Sequence, residues 1–151
     1  MLRNKLKEAL KESMKTKDER SVSTVRLILA ALKDRDITAR GKGNVEGIPD
    51  DEILGLLQSM IKQRRESIAL YEKGGRPELA RQEAEEITVI ERFLPAQMGE
   101  AEMTDAITTL IVELEAKNLK DMGRTMAALK ERYAGKMDFA KASAMVKSHL
   151  A

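Results

Sequence analysis

The 151-residue sequence contains no cysteine, no tryptophan and a single histidine. Without cysteine there can be no thiol nucleophile, disulfide, thiolate zinc site or iron–sulfur cluster. One histidine, His149, cannot build a histidine metal site alone, and its position near the C-terminus is hard to enclose for Ser–His–Asp catalysis. We therefore expect no metal, no cofactor and no catalytic residue, and we interpret His149 as a solvated surface side chain.

Aromatic residues and long apolar runs are also scarce. Aromatics make up only 3% of the chain, and no run approaches the roughly 18 apolar residues that a membrane span needs. The charged N-terminal stretch lacks the apolar block of a signal peptide, so we expect a cytoplasmic protein without membrane contact. The core must be built from Leu, Ile, Val, Ala and the nine Met, a composition that favours interdigitating helices.

Apolar residues recur at helical spacing along the whole chain, which predicts an all-α fold without strands. Pro95 and Gly99 bracket a short turn, after which a new periodic pattern starts. We therefore expect two helical bundles: about four helices in residues 1–95 and three helices in residues 96–151. Asp18, Asn118 and Asp138 are expected to cap three helix starts with their side chains. Asp121, three residues after Asn118, is expected to complete a capping box.

Several local features have both a structural and a functional interpretation. The basic pair Arg64–Arg65 is typical of a salt-bridged face with Glu66 and its neighbours, and less often of a ligand site. The acidic cluster Glu83–Glu85–Glu86 suits a solvated face. Gly123 lies inside a predicted helix, where glycine is about 1 kcal/mol less favourable than alanine. Its presence there indicates either close packing within the bundle or close approach of an RNA backbone. No phosphate-binding loop is present, because Gly135–Lys136 precedes Met137 instead of Ser or Thr.

The net charge is only +2, but it is unevenly distributed. Residues 96–116 carry five acids and no base, whereas residues 117–151 carry eight bases against three acids. The first 40 residues are also basic, with eleven bases against six acids. Clustered Lys and Arg without aromatics suits contact with the phosphate backbone of a folded nucleic acid, although solvated amphipathic helices are an equally weighted alternative.

Four segments, in order and over nearly the whole length, resemble the GatB/YqeY family. They are Ser21–Leu27 leading to Ala31–Lys33, Arg64–Ile68 continuing through Tyr71–Arg76, Phe93–Gln97, and Asp121–Arg124. The stand-alone members of this family are small bacterial proteins. Their C-terminal part is similar to the tail domain of the B subunit of the glutamine-dependent aspartyl/glutamyl-tRNA amidotransferase.

The resemblance implies a two-domain all-α protein whose C-terminal three-helix tail contacts tRNA. In the amidotransferase, activation and amide transfer take place in other domains, which this chain lacks. The resemblance implies an RNA face that includes Arg124 and Lys136, and a structural part for Asp121, Gly123 and Gly135. The charge analysis adds neighbouring bases to the candidate tRNA-binding residues, namely Lys117, Lys120, Lys130, Arg132, Lys141 and Lys147.

Three hypotheses follow. The first is a cytoplasmic tRNA-binding accessory protein related to the amidotransferase tail and not catalytic alone. The second is a component of a glutamine-dependent carbon–nitrogen ligase, although the sequence has no recognisable nucleotide pocket or acid–base set. The third is a helical protein–protein adaptor without RNA. Across the three hypotheses, the expected partners are tRNA or another structured RNA, or an amidotransferase or other protein.

Overall fold

A computed structural model describes residues 1–151 and contains only helices, which confirms the all-α prediction. Seven α-helices follow one another, and a single 3-10 turn, Leu119–Asp121, precedes the sixth. No helix is both long enough and apolar enough to cross a membrane. The helices are α1 Leu2–Lys15, α2 Glu19–Gly41, α3 Asp50–Lys73, α4 Pro77–Glu91, α5 Glu100–Leu114, α6 Met122–Arg132 and α7 Phe139–Leu150.

The chain divides into two compact units, residues 1–95 and residues 96–151, and each has its own apolar core. In the first unit α1 to α4 bury Leu6, Ile28, Ile53, Leu57 and Ile90 almost completely. Leu27 and Ile37 of α2 lie outside this core and are about half exposed. The second unit packs α5, α6 and α7 around Ile107, Leu110, Leu129, Met137, Ala142 and Val146.

The predicted caps are confirmed. The Asp18 carboxylate accepts a hydrogen bond from the Ser21 backbone N–H, and the Asp138 carboxylate accepts bonds from the first turn of α7. Asn118 and Asp121 form a capping box at the 3-10 turn. Helix α4 ends at Glu91, before Pro95, because the residues after Glu91 form a tighter turn in which each N–H bonds the carbonyl three residues back.

The loop between α2 and α3 is held by an ion pair between the start of α1 and the C-terminal part of α2. The Arg3 guanidinium donates to both carboxylate oxygens of Asp36 and, at 2.9 Å, to the carbonyl of Ile48. Asp36 in turn accepts from the Ile48 backbone N–H at 2.9 Å. These bonds from Arg3 and Ile48, with the nearby charge of Arg40, hold the pKa of Asp36 below its usual value.

A second, partly buried ion pair joins α3 to α4 and corrects two expectations. Arg64 bonds the Glu86 carboxylate at 2.9 Å, lies 3.9 Å from Glu83 and also donates to the Met60 carbonyl, so its partner is not Glu66. Glu86 is only 7% exposed, so the prediction that it belongs to a solvated acidic face is wrong. Burial, together with the charge of Glu86, raises the pKa of Glu83. Arg65 remains exposed.

The second unit begins with two bonds that fix its first residues. The Gln97 amide donates to the Gly135 carbonyl at 2.6 Å, and the Met98 backbone N–H donates to the Lys136 carbonyl at 2.7 Å. Gly135 has a φ of +73°, a conformation that favours glycine, in the loop between α6 and α7. Residues 97 and 98 are therefore anchored to that loop ahead of α5.

Candidate nucleic-acid interface

All eight cations predicted for RNA binding are exposed in the second unit. They follow the acidic helix α5 in the chain and are distributed over five segments: the connection after α5, the 3-10 turn, α6, the loop after α6, and α7. Their local environments differ, however, because some guanidinium groups already have partners within the unit. The geometry therefore divides the predicted set into structural cations and free cations.

Asp121 organises the entry to α6. One of its carboxylate oxygens accepts from the backbone N–H of Lys117 at 2.8 Å and of Asn118 at 3.4 Å, and the other accepts from the Arg124 side chain at 3.2 Å. The bond from the Lys117 N–H, followed by the bond and charge of Arg124, lowers the pKa of Asp121. Asp121 is therefore ionised at neutral pH and holds the turn that leads into the helix.

Arg124 and Arg132 both bond to α5. The Arg124 guanidinium donates to the Leu114 carbonyl at 2.8 Å and so satisfies the last residue of α5, besides its bond to Asp121. Arg132 pairs with Glu113 at 2.7 Å. Both pairs are exposed, so their guanidinium groups keep some access to solvent, but each has a role in holding α6 against α5.

The six lysines of the predicted set form no ion pair in the structure. Lys117 and Lys120 flank the start of the 3-10 turn, Lys130 lies in the last turn of α6, and Lys136 follows Gly135. Lys141 and Lys147 are six residues apart on α7, which places them about 120° apart around that helix. The structure thus does not bring all six lysines onto one face.

One face of α6 combines free charge with small side chains. Gly123, Ala127 and Lys130 are spaced by four and three residues, the spacing of neighbours on one face of α6. Lys120 precedes Gly123 by three residues, in the 3-10 turn that leads into the helix, and all four residues are exposed. A Cβ atom added to Gly123 would meet nothing within 4 Å. Close packing within the bundle, the first interpretation of Gly123, is therefore wrong. We call these four residues the α6 outer face.

The remaining candidates have simple environments. His149 is exposed, as expected, and its Nδ1 lies 2.8 Å from the Met145 carbonyl one turn earlier. No group of three His, Asp or Glu side chains is arranged to hold a metal ion. Sequence reasoning missed the α6 outer face as a unit, although the spacing of its four residues was available as a signal.

A family model described as "Yqey-like protein" matches residues 3–150. "Altered inheritance of mitochondria protein 41, mitochondrial" of Lachancea thermotolerans is 34% identical over 116 residues, which cover 75% of this chain and 59% of that protein. The protein of the same name from Saccharomyces cerevisiae strain YJM789 is 26% identical over 126 residues, covering 83% of this chain and 62% of the relative.

These relatives are longer than the chain, which spans about three fifths of the length of each. They come from yeasts, whereas the sequence had indicated bacterial proteins. Their names place them in mitochondria, and this contradicts the prediction of a cytoplasmic location. The absence of a recognisable signal peptide in the sequence was therefore an insufficient basis for that prediction.

Proposed function

The chain belongs to the YqeY-like protein family, and on that premise we propose that it is an accessory protein that binds structured RNA, tRNA foremost, through its second unit. The observation that carries the proposal is the α6 outer face, where two free lysines bracket Gly123 and Ala127. Such a face offers positive charge at both ends and little side-chain bulk between them. A sugar–phosphate backbone can approach it closely.

Backbone contact, not base stacking, is the mode that the surface supports. The four aromatic side chains of the protein are all partly buried, so none is free to serve as an exposed stacking platform. Lysines that contact phosphates displace condensed counterions, and binding by this mode weakens steeply as salt is added. Helical RNA, which proteins recognise mostly through its shape, phosphates and 2′-hydroxyls, suits a surface of this kind.

The experiment is a fluorescence-anisotropy titration of a fluorescein-labelled tRNA transcript with the full chain at 50 and 200 mM salt. We compare wild type with Lys120→Glu/Lys130→Glu. Losing two phosphate contacts lowers the affinity at 50 mM salt and reduces the fall in affinity between the two salt concentrations by about tenfold. Arg124 is left unchanged because its bonds to Leu114 and Asp121 support the fold.

The matched control is Lys62→Glu/Lys73→Glu, two exposed lysines of α3 that form no ion pair and give the same change in net charge. We expect this control to retain most of the wild-type affinity. Equal losses in both variants would show that net charge, and not the α6 outer face, determines binding. Wild-type affinity in Lys120→Glu/Lys130→Glu would refute the proposed face directly.

A further inference from the structure

The helical hairpin formed by α1 and α2 carries a second group of cations without ion-pair partners. Four arginines of the first unit pair with carboxylates: Arg3 with Asp36, Arg20 with Glu85, Arg64 with Glu86, and Arg76 with Glu78. Nine exposed cations of the hairpin form no ion pair; Lys5, Lys15 and Arg35 are three of them. We call the other six the hairpin basic face: Lys7, Lys11, Lys17, Arg26, Lys33 and Arg40.

Helix geometry places the α2 members of this face in one row. Arg26, Lys33 and Arg40 follow one another at intervals of seven residues, which is close to two full helical turns. Their backbone positions are separated by about 10 Å each, so the row is about 21 Å long. A row of this length and one sign suits an extended polyanion better than a single small anion.

A shallow depression connects this row to α1. It has a volume of about 500 Å³ and is lined by Met14 of α1, by Lys17, and by Glu19, Val22, Ser23 and Arg26 of α2. Lys7 precedes Met14 by seven residues and therefore lies on the same side of α1, with Lys11 one turn further along. Lysines of α1 and bases of α2 thus border one surface. Glu19 is the one acidic residue among those that line the depression.

We infer that the hairpin basic face is a second RNA-binding surface that contacts the phosphate backbone of a helical RNA segment. The inference rests on the proposed RNA binding, but it assigns a contact to the first unit and uses none of the lysines of the α6 outer face. No aromatic residue lies in α1 or α2, so the surface is suited to phosphates and not to unpaired bases.

The test uses the full chain and a fluorescein-labelled 20-base-pair RNA duplex, with the tRNA transcript as a second probe. The variant Arg26→Glu/Lys33→Glu/Arg40→Glu reverses the α2 row. Its matched control is Lys62→Glu/Lys73→Glu/Arg81→Glu, three exposed cations of α3 and α4 that form no ion pair and give the same change in net charge. Circular dichroism checks that both variants keep the wild-type helix content.

We expect the row variant to bind the duplex at least tenfold more weakly than wild type at 50 mM salt. Its loss of affinity between 50 and 200 mM salt should be about 40-fold smaller, the effect of three missing phosphate contacts on a double-stranded backbone. The control should stay within about twofold to threefold of wild type. Equal binding by the row variant and the control overturns the inference.

Running Lys120→Glu/Lys130→Glu beside these variants separates the two proposals. If only the α6 variant loses affinity, the proposed function stands and the hairpin inference fails. If only the row variant loses affinity, the hairpin inference stands and the α6 outer face is wrong. If wild type binds neither probe at 50 mM salt, both proposals are refuted, and an acidic protein partner becomes the explanation for the hairpin charge.

Discussion

Replacing Gly123 by alanine should stabilise the protein. Gly123 lies in the first turn of α6 with no positive φ, and an added Cβ atom would meet nothing within 4 Å. Alanine therefore fits the folded state without strain, while the unfolded chain loses the extra freedom that glycine gives it. Most substitutions in folded proteins destabilise them, so a gain here is a specific consequence of this geometry.

The expected gain is about 0.5–1 kcal/mol in the free energy of unfolding. The upper value is the difference between glycine and alanine in a helix interior. The lower value allows for the position of Gly123 near the helix start, where helix propensity counts for less. Ala127, one turn later on the same face and also exposed, supplies the reciprocal change: Ala127→Gly should destabilise by about 1 kcal/mol.

Urea unfolding followed by circular dichroism at 222 nm measures both variants, with the denaturant slope fixed by wild type. The same proteins are then titrated with the tRNA transcript, together with Gly123→Leu. Leucine is also a good helix former but puts a bulky side chain on the α6 outer face, so it should lower RNA affinity several-fold without unfolding the helix. A loss of stability in Gly123→Ala would refute the geometric argument. Full RNA affinity in Gly123→Leu would refute close approach at this residue.

Two further predictions concern the first unit. Arg64→Met should destabilise it by about 3 kcal/mol because the buried Glu86 carboxylate loses its nearest partner and keeps only Arg20, at 4.0 Å. Arg64→Met/Glu86→Leu should recover most of that loss; urea unfolding of the single and double variants checks this, and equal stability of both would contradict it. Asp36 has a lowered pKa, so its contribution to stability is present above the unfolded-state value near 4 and is lost as the pH falls through the lower folded-state value. Asp36→Asn should therefore be less stable at pH 7 and should lose less stability than wild type between pH 5 and 3; parallel pH profiles of the two would contradict this assignment.

Local chemistry made much of the fold predictable. Asp18, Asn118 and Asp138 stand at helix starts where their short side chains reach free backbone N–H groups, and each of these caps depends only on residues two or three positions away. Glu86 was predicted incorrectly because its burial depends on Arg64, which is distant in sequence and reaches it from α3. Leu27 fits the apolar pattern of α2, but about half of its surface remains exposed.

The candidate site was predictable as a charge distribution and not as a surface. Counting bases identifies the second unit, yet it cannot show that Arg124 and Arg132 bond to α5 while neighbouring lysines have no partner. Those bonds join residues 10 and 19 positions apart and exist only once α5 and α6 have packed. Glycine at position 123 indicated that something approaches closely, and the structure excludes packing within the bundle.

The bonds that Gln97 and Met98 make to the loop between α6 and α7 set the minimal fragment for studying the second unit by itself. A fragment that started at Glu100 would omit the donors to the Gly135 and Lys136 carbonyls and leave that loop free to fray. In spectra of such a fragment, loop motion caused by the truncation would be mistaken for motion of the intact unit. Isotope labelling, peptide synthesis or transfer of the unit onto another protein should therefore begin no later than Ala96.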